Sequence, residues 1–280
     1  MLKKIWIDCE VYKDYFLFSA LSEKGTLLDL EMYNGHPLDI KKLSAIMNSF
    51  QSISFNGLNY DLLIIRAAIM GFTNKQLKDL SDLIIKSNKP SWLIAKDNGI
   101  RFPKTWDHID LIELPIGKAS LKIYGGRLNA HTIQDLPIDP DQSITYDLRE
   151  PMRQYCHNDL HTTKLLYDNL VNQIDLRVRM SEQYGMDLRS KSDAQIAETV
   201  IKSELHKLTG AEYKKPEQSE SLKFRYINPK IISFKDAVMQ NIFNRILDTD
   251  FTTGGNGSVV LPTWLKEKIN FYGCDYQMGI

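Results

Sequence analysis

The sequence predicts an α/β protein: a mixed sheet flanked by helices, followed by a smaller mixed α/β region. Three observations carry that prediction. Apolar runs with strand character open the chain at 4–11, 14–20 and 26–33. Segments with helical spacing of apolar residues then alternate with two further short strands. After about residue 178 the texture turns polar and is broken by proline and glycine. A first domain is therefore expected over 1–178 and a second, helical and mixed region over 179–280.

Taken in order, residues 4–11 read as the first strand. Asp14 to Ala20, the turn Ser22-Glu23-Lys24-Gly25 and Thr26 to Tyr33 read as a hairpin, so the chain opens on an antiparallel meander. Leu38 to Phe50 reads as a helix with Leu38, Leu43, Ile46 and Met47 roughly on one side. Ser52 to Phe55 is a short strand, and Asn56-Gly57-Leu58-Asn59 a turn. Asn59 is placed to cap a helix from Tyr60 to Met70, which is apolar nearly all round and expected to be buried. Residues 74–88 read as a helix ending near Pro90, Trp106 to Leu111 as a strand, and Ser120 to Leu128 as a helix of mixed polarity. Gln134 to Thr145, with Pro137 and Pro140, reads as loop, and Asp147 to Leu170 as a long helix. Beyond it, Ser192 to Leu208 is a helix opened by a Ser192–Gln195 capping box. Residues 210–230 are polar, with Lys214-Lys215-Pro216 and Asn228-Pro229 as breakers. Ser233 to Leu247 reads as a helix and Thr253-Gly254-Gly255-Asn256-Gly257 as a loop. Asp275 to Ile280 reads as the start of an element, so the chain reads as a fragment of something longer.

Composition narrows the class. The 280 residues hold 35 basic and 35 acidic side chains, which argues against a protein coated in basic surface and leaves a local nucleic-acid groove open. Cys9, Cys156 and Cys274 lie far apart without a CxxC spacing. They form neither a zinc-site pattern nor a disulfide framework, and imply a reducing compartment: the cytoplasm, of a host cell if the chain is viral. The longest apolar run, Leu62 to Phe72, is too short to span a bilayer and contains Arg66. Only three apolar residues follow Met1-Leu2-Lys3-Lys4 before Asp8, too few for a signal peptide, so no membrane partner is expected.

The chemistry is concentrated in acids that interrupt apolar elements. Asp8 and Glu10, two apart in the first strand, point the same way, while Ile7, Cys9 and Val11 point the other. A buried pair of this kind calls for a cation. An edge strand with one wet face accommodates it as well. On the long helix, Leu148, Met152, Tyr155, Thr163, Leu166 and Leu170 share a stripe, and Asp159 falls in its middle. Tyr155, one turn earlier, sits beside that carboxylate. An Asp at this place pairs with a buried arginine, caps a loop or binds a metal. Asp61 stands in the first turn of its helix, where the dipole favours the ionised form; helix-start acids are also common without further duty. Asp8, Glu10, Asp61 and Asp159 come from three separated places, and their mutual repulsion becomes favourable when divalent cations sit among them. Hard oxygen ligands suit Mg²⁺ or Mn²⁺, and a pair of such ions about 4 Å apart can generate hydroxide and stabilise the leaving oxygen in phosphodiester cleavage.

These residues resemble the motifs of the DEDD exonucleases. Asp8-Cys9-Glu10 resembles the first motif, Asp-x-Glu, and Phe55-Asn56-Gly57-Leu58-Asn59-Tyr60-Asp61 the second, with Asn and Asp five apart. Tyr155-Cys156-His157-Asn158-Asp159 resembles the third, Tyr-x-x-x-Asp, in its tyrosine form; the histidine form would need His where Gln154 stands. The similarity narrows to proofreading domains of phage-type replicative DNA polymerases through Leu121 to Thr145, with Gln134-Asp135-Leu136-Pro137, and through Ser192-Asp193-Ala194-Gln195-Ile196-Ala197-Glu198. It covers about the first 200 residues. Val11 departs from the common Asp-x-Glu-Thr form, which bears on how the 3′ nucleotide is held and removes no metal ligand.

The resemblance implies a ribonuclease H-like fold, two divalent cations (Mg²⁺ or Mn²⁺) and 3′→5′ hydrolysis of single-stranded or frayed DNA to nucleoside monophosphates, with the polymerase domain of the parent chain as partner. It implies that Asp8 bridges both ions, that Glu10 and Asp159 complete the water-activating site, and that Asp61 holds the second ion. Tyr155 orients the attacking water, and Asn56 and Phe55 contact the frayed end by hydrogen bonding and stacking. An RNA-directed exonuclease of ribonuclease D type and an inactive DNA-holding domain are the alternatives.

Other signals are weaker. His157 and His161 stand four apart, as zinc ligands often do, but on the polar side of the helix. Asp248-Thr249-Asp250 reads as an acid pair at a helix end. The glycines at 254–257 lack the Gly-Lys-Ser/Thr of a phosphate loop. Lys202 to Lys235 holds eight Lys/Arg against four Glu, interleaved with Tyr213, Phe224 and Tyr226. That pattern suits single-stranded nucleic acid or a solvated linker.

Overall fold

Strand β1, Lys4–Val11, lies at the centre of a five-stranded sheet because both of its faces are apolar enough to be covered. Ile5, Ile7, Cys9 and Val11 face one helical layer; Trp6 faces the other. β1 pairs antiparallel with β2, Tyr15–Ser22, and β2 with β3, Leu27–Tyr33, as the meander expected. On its other side β1 runs parallel to β4, Gln51–Ser54, and β4 to β5, Asp107–Asp110, which gives the order β3-β2-β1-β4-β5. The structure, a computed structural model, describes residues 3–87, 89–117, 119–213, 222–254, 258–266, 269–271 and 274–276.

One layer is built from α1 (Ile40–Ser49), α2 (Asp61–Ile69), α3 (Asn74–Lys86) and α4 (Ser91–Asp97), which bury Leu43, Leu63, Leu77 and Ile94 against β1 and β2. α1 starts at Asp39, whose carboxylate accepts the Lys42 N–H at 2.9 Å, and α3 starts with a Thr73–Gln76 capping box. α2 is buried nearly all round, as its composition implies. α4 is only seven residues long, too short for its apolar period to be seen in the sequence.

The opposite layer holds α5, Leu121–Arg127, and α6, Arg149–Tyr184. Tyr124 of α5 and Leu160, Leu166 and Leu170 of α6 pack on Trp6, Ile53 and Ile109. α6 runs past its expected end at Leu170 because Ile174 and Arg177 continue the buried side, at 2% and 3% exposure. The Arg177 guanidinium donates to Lys191 O at 2.9 Å and to Asp193 Oδ1 at 2.6 Å, so its buried charge is satisfied. The helix stops at Gly185, whose φ of +68° takes the left-handed C-terminal position. The boundary expected at 178/179 therefore falls inside a continuous helix, and the chain divides instead into compact units over 1–208 and 209–280.

α7, Asp193–Thr209, follows the anticipated cap: Ser192 N–H donates to Gln195 Oε1 at 3.0 Å and Gln195 N–H to Ser192 Oγ at 3.3 Å. The second unit contains α8 (Ala237–Asp248) and a three-stranded sheet of β6 (Lys223–Arg225), β7 (Asp250–Thr253) and β8 (Val259–Val260). It ends with α9 (Thr263–Lys266) and the antiparallel pair β9 (Ile269–Phe271) and β10 (Cys274–Tyr276). Strands of two to four residues carry no readable alternation, which is why the sequence does not reveal them. Asp250 stands in β7, paired with Arg225, while Asp248 ends α8. Lys214-Lys215-Pro216, Gly255-Asn256-Gly257 and 277–280 lie outside the described residues. Among the described residues no helix is long and apolar enough to cross a membrane.

Candidate active site

Alternation along β1 turns Asp8 and Glu10 toward the α5/α6 layer, the side on which Trp6 meets Tyr167 edge-to-face at 5.5 Å. Both acids are partly buried. Ligand oxygens of Asp8 and Glu10 and the Sγ of Cys156 all lie within 4.8 Å of one another. The Cys156 thiol donates to Asp8 Oδ2 at 3.5 Å. On the other side of β1, the Cys9 thiol donates at 3.2 Å to Asp61 Oδ1, in the first turn of α2. Asp61 is 4% exposed. α6 brings Asp159, partly buried, and Tyr155, buried one turn before it.

All four carboxyls are raised, first of all by burial. Burial pushes the Asp8 carboxyl well above its ordinary range, and the charges of Asp61, Glu10 and Asp159 push it further. Glu10 is raised by burial, then by Asp159 and Asp61. Burial lifts Asp61 to about 6, against the Cys9 hydrogen bond. It lifts Asp159 to about 6 as well, against the Tyr155 hydrogen bond and the nearby charge of Lys122. Burial and the charge of Asp159 raise the Tyr155 phenol, which is therefore neutral at ordinary pH and available as a donor.

The basic side chains of α5 and α6 pair with other acids. Arg153 pairs with Glu31 and Glu150, Lys122 with Asp135, and Lys164 with Asp168. Among the described residues no lysine or arginine is within ion-pair distance of the four acids. The ligand atoms that stand together are two carboxylates and one thiol; among the described residues Asp61 and Asp159 are not part of that group.

Asn56 and Phe55 lie in the turn between β4 and α2. Asn56 is left-handed at φ +69°, and its Oδ1 accepts the Asn59 Nδ2–H at 2.8 Å. Asn59 thus turns back to Asn56, and Tyr60 takes the cap position of α2 without a side-chain bond. Phe55 meets Tyr124 edge-to-face at 6.0 Å. Gly57 is required by close approach: a Cβ there would stand 1.9 Å from Ser54 Oγ and 2.9 Å from Ser54 Cβ. Gly57→Ala is expected to destabilise the fold by about 1–3 kcal/mol, read from urea unfolding, through overpacking of that turn.

His157 lies against β3 rather than in solvent, its Nε2 at 2.8 Å from Asp29 Oδ1, while His161 is exposed. The pair holds no common site. Three residues of this region escape the motif reading. Lys122 places its charge near Asp159. His108 and Asp110 stand two apart on β5 and are buried at 8% and 1% exposure. They carry the signature of Asp8 and Glu10, polar residues alternating on a core strand, and the same test applied to β5 finds them. His108 bridges Ser52 Oγ (2.9 Å) and Ser54 Oγ (3.2 Å); burial and the charge of Arg189 hold its imidazole at about 4, so it is neutral. Comparison of the chain with protein-family models finds no match, nor does comparison with curated proteins.

Proposed function

We propose that this chain is a metal-dependent 3′→5′ exonuclease of the DEDD type, tyrosine form, that trims single-stranded or frayed DNA as the proofreading part of a DNA polymerase. The observation that carries the reading is the pairing of the Asp8 and Glu10 carboxylates on one face of β1, with the charges of Asp61 and Asp159 near enough to raise both. An antiparallel meander continued by two parallel strands, with helices on both faces, is compatible with a ribonuclease H-like fold. The unit over 209–280 then belongs to the polymerase part or to an accessory DNA-binding region.

In this reading Asp8, Glu10, Asp61 and Asp159 hold two Mg²⁺ or Mn²⁺ ions, whose contribution when bound is to activate water and stabilise the leaving oxygen. Tyr155 stays neutral and positions the attacking water through its hydroxyl. Asn56 supplies hydrogen bonds to the terminal nucleotide and Phe55 an aromatic face, backed by Tyr124. Tyr155→Phe removes the hydroxyl alone, so kcat is expected to fall roughly tenfold to hundredfold with Mn²⁺ affinity unchanged.

The test is digestion of 3′- and 5′-labelled single-stranded DNA and RNA with Mg²⁺, Mn²⁺ or EDTA. Release of nucleoside monophosphates from the 3′ end of DNA, stopped by EDTA, is expected. Preference for RNA would favour the ribonuclease D type. Absence of cleavage with either ion on either substrate would contradict the enzymatic reading.

A further inference from the structure

Asp110 is a buried acid that the proposed chemistry does not use. It ends β5, beside β4, and its carboxylate is consumed by backbone donors. Oδ1 accepts Asn56 N–H at 2.7 Å and Ile112 N–H at 3.1 Å; Oδ2 accepts Leu58 N–H at 2.9 Å. Its own N–H donates to Ser190 Oγ at 2.9 Å, which fixes the strand end from below. Two of those bonds grip the turn that carries Asn56. That turn contains the left-handed Asn56, at φ +69°, a conformation asparagine adopts more readily than most residues other than glycine. It is also closed underneath, since Gly57 packs on Ser54 and His108. The turn has one seat, and Asp110 is its clasp.

Resting on the exonuclease reading, we propose that Asp110 is a positioning residue. Its two oxygens hold the N–H groups of Asn56 and Leu58 and so aim the Asn56 side chain at the 3′-terminal nucleotide. An Asn at 110 keeps one oxygen and presents an NH₂ to the other N–H, so one grip is lost. None of the four acids is itself changed, although Asp61 loses the neighbouring charge of Asp110, so Mn²⁺ affinity is measured beside KM.

The experiment is steady-state digestion of a single-stranded oligonucleotide with Mn²⁺ by the wild type, Asp110→Asn, Asn56→Ala and the double variant, with unfolding curves for each. Asp110→Asn is expected to raise KM about tenfold, the worth of one hydrogen bond to a charged group, with kcat changed less than about twofold. The double variant is expected to be no worse in KM than Asn56→Ala, because Asp110 acts through Asn56. A lowered unfolding midpoint with unchanged KM, or effects that multiply in the double variant, would overturn the inference. If Asp110→Asn does not fold, Asp110→Glu, which keeps the charge and shifts the acceptors by one methylene, is read against the same two outcomes. A wild type inactive on every substrate overturns the exonuclease reading itself; an active wild type with an indifferent Asp110 overturns only this proposal.

Discussion

Asp8→Ala and Asp159→Ala proteins are expected to fold and to release no nucleotides from DNA at a useful rate. In the proposed reading each substitution removes one of four metal-holding acids, and among the described residues none of these acids is ion-paired with a lysine or arginine. Losing several kcal/mol of charge stabilisation at a phosphoryl centre corresponds to about a thousandfold or more in rate. Stability moves the other way. Asp8 is raised by burial and by three neighbouring carboxylates, so its removal relieves repulsion. At pH 8 in EDTA the Asp8→Ala protein is expected to melt no lower than the wild type. Initial rates with Mn²⁺ and melting curves in EDTA check both halves. A variant that digests DNA at the wild-type rate would end the assignment of Asp8 or Asp159.

In the metal-free protein the acid cluster costs stability as the pH rises. An acid whose folded value lies above its unfolded one binds its proton more tightly when folded. The stability it contributes is fully present below the unfolded value and is lost as pH climbs through the folded one. For Asp61 and Asp159 the window runs from the ordinary 3.8 to about 6; Asp8 and Glu10, raised well above their ordinary values, extend it upward. Asp61 alone, at 4% exposure, accounts for on the order of 3 kcal/mol across its window. Divalent cations compete with those protons for the same oxygens, so they stabilise most where the protons have left. The rise in melting temperature on adding Mn²⁺ is therefore expected to be several degrees larger at pH 8 than at pH 5. A gain independent of pH, or none at all, would count against a cation site at these acids.

The sequence made the elements legible where one period ran long enough to be seen. β1, the hairpin, α1 and α3 follow from alternation or helical spacing. α6 was legible as a helix and not in its length: residues 171–184 are polar at most positions, and only Ile174 and Arg177 betray the buried side. Gly185 was the signal for its true end. The acids stood out because they interrupt apolar elements. What a single chain does not reveal is which distant segments close on them. Asp61 reaches Cys9 of β1 because β4 pairs in parallel with β1, Trp6 opposite Ile53, and leads into α2. The clasp between Asp110 and the Asn56 turn spans 54 residues and depends on the β4–β5 register, which no local pattern encodes.

A crystal grown with Mn²⁺ and measured at the manganese absorption edge tests the central claim most directly. Two anomalous peaks about 4 Å apart, ligated by oxygens of Asp8, Glu10, Asp61 and Asp159, are the expected result. Carboxylates turned away from one another, or satisfied by lysine or arginine with no peak between them, would contradict it.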